Sequence, residues 1–150
     1  MMWFLVRTDH RKEAYVARQI ARLGYDSWVP AQLIAVRPHA ARNAAAATAL
    51  VIKEIPILPR RVFCALPEAV DGDFLKIRHL VALERDAALS PLRIPAIEVC
   101  QFKAAIDAEN TASLALAQRA SRKQKARWRN LHDALLDVIE QAKQTMEIAA

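Results

Sequence analysis

The sequence predicts an α+β fold: a small, antiparallel-rich sheet flanked by helices, with a C-terminal helical extension. Three observations carry that expectation. Within the first thirty residues an apolar run at 3–8 is followed by a helical pattern from about residue 9 to 23, then by a second apolar run at 25–29 that stops at Pro30. Further short runs rich in β-branched and aromatic residues recur up to about residue 85. From Ala96 to Ala150 there is neither Gly nor Pro, and Ala, Gln, Lys and Arg dominate, which is a helix-forming composition.

The first strand is expected over residues 3–7, where Trp3, Phe4 and Val6 suit a pleated surface. Asp9 is placed to cap the helix that follows, and Glu13 lies where the positive end of the helix dipole favours an anion. Val16, Ile20 and Leu23 recur at helical spacing, with Ala17 and Ala21 beside them, a small-residue face suited to packing on a sheet. Arg11, Arg18 and Arg22 fall on the opposite face together with Tyr15. Gly24, one of only two glycines, stands where a left-handed C-cap belongs.

Residues 33–36 and 50–56 read as the two strands of an outlying hairpin. Between them the alanine-rich stretch 38–49, with Pro38, His39, Arg42 and Asn43, reads as a mobile insertion in preference to a short helix. Residues 61–66 form a further strand, expected to be central. Asp71 and Asp73 flank Gly72, a turn and helix-cap pattern, and residues 73–80 are expected as a short helix with Phe74, Ile77 and Leu80 on one side. Residues 81–85 suit an edge strand. Pro95 opens the last helix of the unit, where its missing N–H costs nothing, with Val99, Phe102 and Ile106 facing inward.

At 150 residues the chain fits one domain, or one small domain with an appendage. Apolar residues make up 54% and charged residues 25%, an ordinary balance for a soluble protein with its own core. No window is apolar enough for a membrane span, and the opening residues run into Arg7, Asp9 and Arg11 instead of a signal-peptide cleavage site. Cys64 and Cys100 lack metal or redox spacing and are expected to be reduced, buried thiols of a cytoplasmic protein. His10, His39, His79 and His132 are scattered, so no metal site is expected. No phosphate loop, dinucleotide fingerprint or nucleophile elbow occurs, so neither a cofactor nor an enzymatic activity is expected.

The net charge is +6, and residues 1–110 and 111–150 each contribute half of it, with 15 basic and 12 acidic groups in the first part and 7 and 4 in the second. The shorter second part is therefore the more densely charged. A basic balance favours polyanions such as nucleic acid, with simple solubility as the competing reading.

The character of the chain changes after Asp107, dividing it into a unit over 1–107 and a basic amphipathic helical tail over 108–150. In the tail Arg119, Arg122, Lys123, Lys125, Arg127 and Arg129 cluster with no acid among them. Trp128, Leu131, Leu135, Val138, Ala142 and Met146 then form an apolar stripe close to heptad spacing. Three readings follow: a helix folded back onto its own domain, a dimer or partner helix, or a helix ordered only in some contexts. The tail cluster, with Trp128 for base stacking, is the better nucleic-acid candidate, and the Arg11, Arg18 and Arg22 face is the second. A membrane-surface role is disfavoured, because the stripe follows the basic cluster along the chain and does not face it.

The expected order of elements resembles the N-terminal domain of NusG-type transcription elongation factors, a group that includes specialised antiterminators. Trp3-Phe4-Leu5-Val6-Arg7-Thr8 matches the family's opening strand, and Glu13, Ala17, Leu23 and Gly24 occupy its helix positions. Val29-Pro30 matches the end of its second strand, residues 54–63 match its proline-containing run into the central strand, and Ile94-Pro95 with Glu98-Val99 matches the start of its last helix. Val81 fits the strand after the short helix. The resemblance spans about residues 2–107. It implies a non-enzymatic regulator of elongation or antitermination that docks on the RNA polymerase clamp and in some cases reads displaced non-template DNA. By position, the clamp contact falls on Arg7, Leu58, Pro59, Arg61 and the strand near Val81. Arg60 and Arg61 stand where the family has glycine and tyrosine, so Arg60 is expected to need a right-handed or extended backbone. The family's usual C-terminal β-barrel, with its KOW motif, is absent from 108–150, where a helical tail stands instead. The alternative is a stand-alone nucleic-acid-binding module, or one that dimerises through the C-terminal helix, without polymerase contact.

Overall fold

A computed structural model of the chain describes residues 2–36, 51–67, 72–116 and 122–148, with the side chains of 116, 122–126 and 145–148 left undescribed. Its elements are β1 (Met2–Thr8), α1 (Glu13–Arg22), β2 (Ser27–Trp28), β3 (Ala31–Val36), β4 (Val51–Pro56), β5 (Arg61–Leu66), α2 (Gly72–Leu75), β6 (Leu80–Leu83), β7 (Arg93–Ile94), α3 (Ala96–Leu116) and α4 (Arg122–Ile148). Among the described residues the fold is α+β, with antiparallel sheets of five and two strands and four helices.

The main sheet runs β2-β5-β1-β6, and β7 joins the β6 side of β1 further along, opposite Trp3 and Phe4. β1 and β5 are central because both of their faces are apolar. Phe4, Val6, Val62, Cys64 and Leu66 pack on Val16 and Ile20 of α1 and on Phe74 of α2. On the other face Leu5, Phe63 and Ile94 pack on Val99 of α3 and on Leu135 and Ile139 of α4, together with Leu58 and Leu92. Each fully buried side chain of this size contributes roughly 1.5–3 kcal/mol.

The tail thus takes the first of its three readings and folds back onto its own sheet. The face opposite α1 is apolar, and the stripe of α4 has the spacing to cover it. Leu135 and Ile139 are buried there, which removes the seam expected for a second copy. The boundary expected at Asp107 falls inside α3, which runs unbroken because nothing in its sequence stops a helix. Met146 lies on α4 beyond the described side chains.

Other expectations shift locally. α1 begins at Glu13, not near residue 9. Its N-cap is Lys12 without a side-chain bond, and Asp9 bonds His79 instead. Arg11 therefore precedes the helix, Tyr15 is half-buried against the first core cluster, and Leu23 is exposed at the C-cap. Gly24 has the left-handed φ of 87°. The helix expected over 73–80 ends at Leu75, yet Phe74 is buried and Ile77 and Leu80 pack on the same cluster. The edge strand near 81–85 is β6, and Val99, Phe102 and Ile106 face inward as expected. β7 has no counterpart in the sequence reading. The insertion expected at 38–49, and Asp71, lie outside the described residues.

The hairpin β3–β4 is held by an unforeseen residue. Asn110 of α3 accepts a hydrogen bond from Leu33 N at 2.8 Å and donates from Nδ2 to Ala31 O at 2.9 Å. A side-chain amide thereby closes the β3 edge as a neighbouring strand would. Asn110→Ala should cost about 2–3 kcal/mol, since two bonds are lost and a part-buried N–H and C=O are left unpaired. Hydrogen exchange at Leu33 should rise at least about tenfold while the β5 amides keep their protection. Equal loosening of both would mean that Asn110 serves general packing.

Candidate functional site

Three strained backbone positions gather where β1 ends. Arg11, Arg60 and His79 have φ of 58°, 65° and 71°. Thr8 N donates to Arg60 O at 2.8 Å and Asp9 N to His79 O at 2.9 Å, so the chain turns around the end of one strand. A left-handed residue with a Cβ costs roughly 1–2 kcal/mol, and such positions persist only where the surroundings enforce them. The expectation that Arg60 takes a right-handed or extended backbone is therefore overturned. Its N–H is captured by Oε1 of buried Glu13 at 2.7 Å, and its Nε donates to Thr8 O at 3.3 Å. His79 is held by Asp9 Oδ2 at 2.9 Å from Nδ1, with the Tyr15 ring edge-on at 5.5 Å.

Beside this turn lies the polar end of the sheet face that α3 and α4 cover elsewhere. Strand alternation places Arg7 on the face of Trp3 and Leu5, and Arg61 on the face of Phe63. Arg7 and Arg61 are register partners, with Ala82 opposite Arg7 on the other side. Arg7 is exposed. Arg61 Nε stands 3.5 Å from Oε1 of Glu84, whose side chain is 15% exposed. Like charges directly opposite on neighbouring strands repel, and one carboxylate does not offset two guanidinium groups. The row is a rigidly held, net positive edge that an acidic surface would complement.

The structure thus pairs Arg7 with Arg61, while Val81, 47% exposed, falls on β6 at the register shift between the partners of Arg7 and Thr8. Pro59 is exposed beside the Arg60 turn. Leu58 is a correction: it is 1% exposed within the core cluster of Leu5 and Phe63, so it supports the turn from below and offers no surface.

The nucleic-acid candidates disperse. Arg18 and Arg22 are exposed on α1, and Arg11 sits in the preceding turn. Trp128 is 7% exposed and is no platform for a base, because the stripe that carries it turns inward. Arg127 Nη1 lies 3.6 Å from Glu109 Oε1 across the α3–α4 pair, while Arg129 is exposed. Arg122, Lys123 and Lys125 stand on the first turn of α4, and Arg119 lies outside the described residues.

Glu13, Glu84 and Asn110 were missed as site or anchor residues. Asn110 carried a local signal as a poor helix former within an otherwise favourable helix, and Glu13 one as an acid at a helix start, but neither signal named the partner.

Among the described residues no three His, Cys, Asp or Glu side chains come together as a metal site, and no helix is long and apolar enough to cross a membrane. Cys64 is buried as expected, whereas Cys100 is exposed on the outer side of α3. Burial pushes the Cys64 thiol up to about 12. A thiol reagent should label Cys100 alone until the chain unfolds. Folded Cys64 keeps its proton where the unfolded thiol, with its ordinary value of 9.0, has lost it. Its contribution to stability is therefore full below pH 9.0 and falls as pH rises toward about 12. An unfolding midpoint that rises across this window would contradict the assignment.

No protein-family model matches the chain, and no curated protein matches it.

Proposed function

We propose that the chain is a NusG-like regulator of transcription elongation or antitermination that acts in the cytoplasm by binding RNA polymerase and catalyses no reaction. The observation that carries this reading is the threading. A strand, a helix and a second strand lead into an outlying hairpin, then a central strand, a short helix, an edge strand, a further two-residue strand and a long helix; apart from that two-residue strand this is the order implied by the resemblance. The rigid positive row of Arg7 and Arg61, flanked by Pro59 and Val81, is the contact surface in this reading. Since Leu58 is buried, the contact is more polar than the apolar one the resemblance implies, and it calls for acidic groups on the clamp. Bridging the clamp would restrain its opening and so change pausing. Arg18, Arg22 and Arg129 are free to meet phosphates of nearby DNA or RNA.

Retention on immobilised RNA polymerase tests the proposal. The parent chain should be retained and should alter pausing in an elongation assay. Arg7→Glu, which leaves the Arg61–Glu84 pair in place, should weaken both effects without lowering the thermal midpoint. If the parent itself is not retained, the stand-alone nucleic-acid reading takes over. Its mark is a steep salt dependence of DNA or RNA binding that flattens in Arg18→Glu with Arg22→Glu.

A further inference from the structure

The two-stranded sheet has one closed edge and one open edge. Ile57 N donates to Pro30 O at 2.8 Å, which sets the phase of the antiparallel ladder. The Gln32–Ile55 and Ile34–Lys53 pairs then exchange their bonds within the hairpin. Ala31 and Leu33 turn theirs outward on the β3 side, and Ile52, Glu54 and Pro56 do so on the β4 side. The phase is corroborated on the β3 side, where Asn110 meets Leu33 N and Ala31 O. On the β4 side the N–H and C=O of Ile52 and Glu54, and the C=O of Pro56, face outward with no strand beside them among the described residues.

Glu54 and Pro56 lie along a groove of about 850 Å³ lined by residues of β4 and α1 and by Val29 and Ala31, with Ile52 just outside the lining. Four consecutive residues, 53–56, line it. Successive side chains of a strand point to opposite faces, so a groove that meets all four meets the strand's edge. Ala14 and Ala17 of α1, with small side chains, also line it. His10, Arg11 and Lys53 border the groove. Of the two carboxylates in its lining, Glu13 is buried and bound to Arg60 N, which leaves Glu54 as the exposed acid.

We infer that this groove receives an extended acidic peptide segment, which adds to β4 as a third strand. The free edge supplies main-chain hydrogen bonds, and alternate side chains supply selectivity, the two components of strand addition. An extended segment is the fitting occupant because what the edge offers is a row of main-chain N–H and C=O groups. Acidic side chains fit because Arg11 and Lys53 outnumber the one exposed carboxylate. Pro56 has no N–H and ends the ladder, so pairing in the groove centres on Glu54 and continues along the edge to Ile52. The groove touches the proposed polymerase contact surface at Pro59, but the inference uses neither Arg7 nor Arg61 and does not rest on that reading.

The probe is a short labelled peptide of alternating threonine and glutamate, compared with its threonine–lysine counterpart by fluorescence anisotropy on the full chain. The glutamate peptide should bind at least about tenfold more tightly. Glu54→Pro deletes one outward N–H at an edge position where proline is tolerated, and should weaken binding about tenfold or more with the thermal midpoint unchanged. Lys53→Glu with Arg11→Asp should reverse the preference, aspartate being suited to the left-handed backbone at Arg11. On the parent chain, adding the glutamate peptide should protect the Ile52 and Glu54 amides from hydrogen exchange, a readout that needs no variant. Equal binding of both peptides, or unprotected Ile52 and Glu54 amides, would overturn the inference. So would a dimer dispersed by Glu54→Pro, which gives the edge to a second copy, or displacement of the peptide by a single-stranded oligonucleotide, which gives the groove to nucleic acid.

Discussion

Phe63→Ala should destabilise the chain by about 3–5 kcal/mol, the cost of emptying a packed aromatic site. Phe63 is 1% exposed and sits on β5 between two register partners, Leu5 on β1 and Trp28 on β2. Its ring centroid lies 5.3 Å from that of Trp28. The cavity would therefore open at the middle of the sheet face, beneath α3 and α4, where strands on both sides limit collapse. A domain of this kind is stable by about 5–15 kcal/mol, so the loss is a large fraction of the total. Denaturant unfolding followed by tryptophan emission checks it. Val81→Ala, at an exposed position, is the control and should change stability by no more than about 0.5 kcal/mol. A Phe63 effect of the control's size would mean that this face is not closed in solution.

Leu135→Ala should cost about 2–5 kcal/mol, although Leu135 lies 72 residues beyond Phe63 in the chain. Leu135 is 1% exposed and belongs to the same core cluster. The variant asks whether α4 covers the sheet or stands away from it. Asp133→Ala, two residues earlier and exposed, should change stability by about 0.5 kcal/mol or less. The double variant with Phe63→Ala should be non-additive by about 0.5–3 kcal/mol, because both deletions open one shared cluster. If Leu135→Ala matched Asp133→Ala, or the two core deletions simply added, α4 would not be seated on this face.

Much of the fold was legible because local patterns carried it. The aromatic and β-branched run at β1, the helical spacing of Val16 and Ile20, Gly24 past the end of α1 and the lack of any breaker after Pro95 each act over a few residues. The outlying hairpin was legible from two apolar runs around a polar-capable, alanine-rich stretch. β7 was not, because two residues carry no periodicity and the strand exists only through its pairing with Trp3 and Phe4. The start of α1 was misplaced because Asp9 has two competing partners, the helix N–H groups and His79, and the latter is seventy residues away.

The candidate site was harder to read for the same reason. Arg7 and Arg61 could be named from their positions in a pattern, but their pairing across two strands, with Glu84 beside Arg61, joins three separate segments. Leu58 and Trp128 were assigned outward roles because an apolar residue beside a basic or proline-containing motif serves a surface or a core equally well, and burial separates the two. Arg60 shows the converse. Its side chain argued against a left-handed backbone, and a buried carboxylate on another element overrode that preference.

Composition and spacing along the chain thus sufficed for the kinds of element, their order and the apolar stripe of the last helix, since each arises from neighbours within a turn or a pleat. Which sheet face that stripe covers, how Glu13 holds Arg60, how Asn110 closes one edge of the hairpin and why the other edge lies open are settled by residues far apart in sequence. Those meetings depend on where whole elements pack, and packing free energy belongs to the assembled core instead of any one segment.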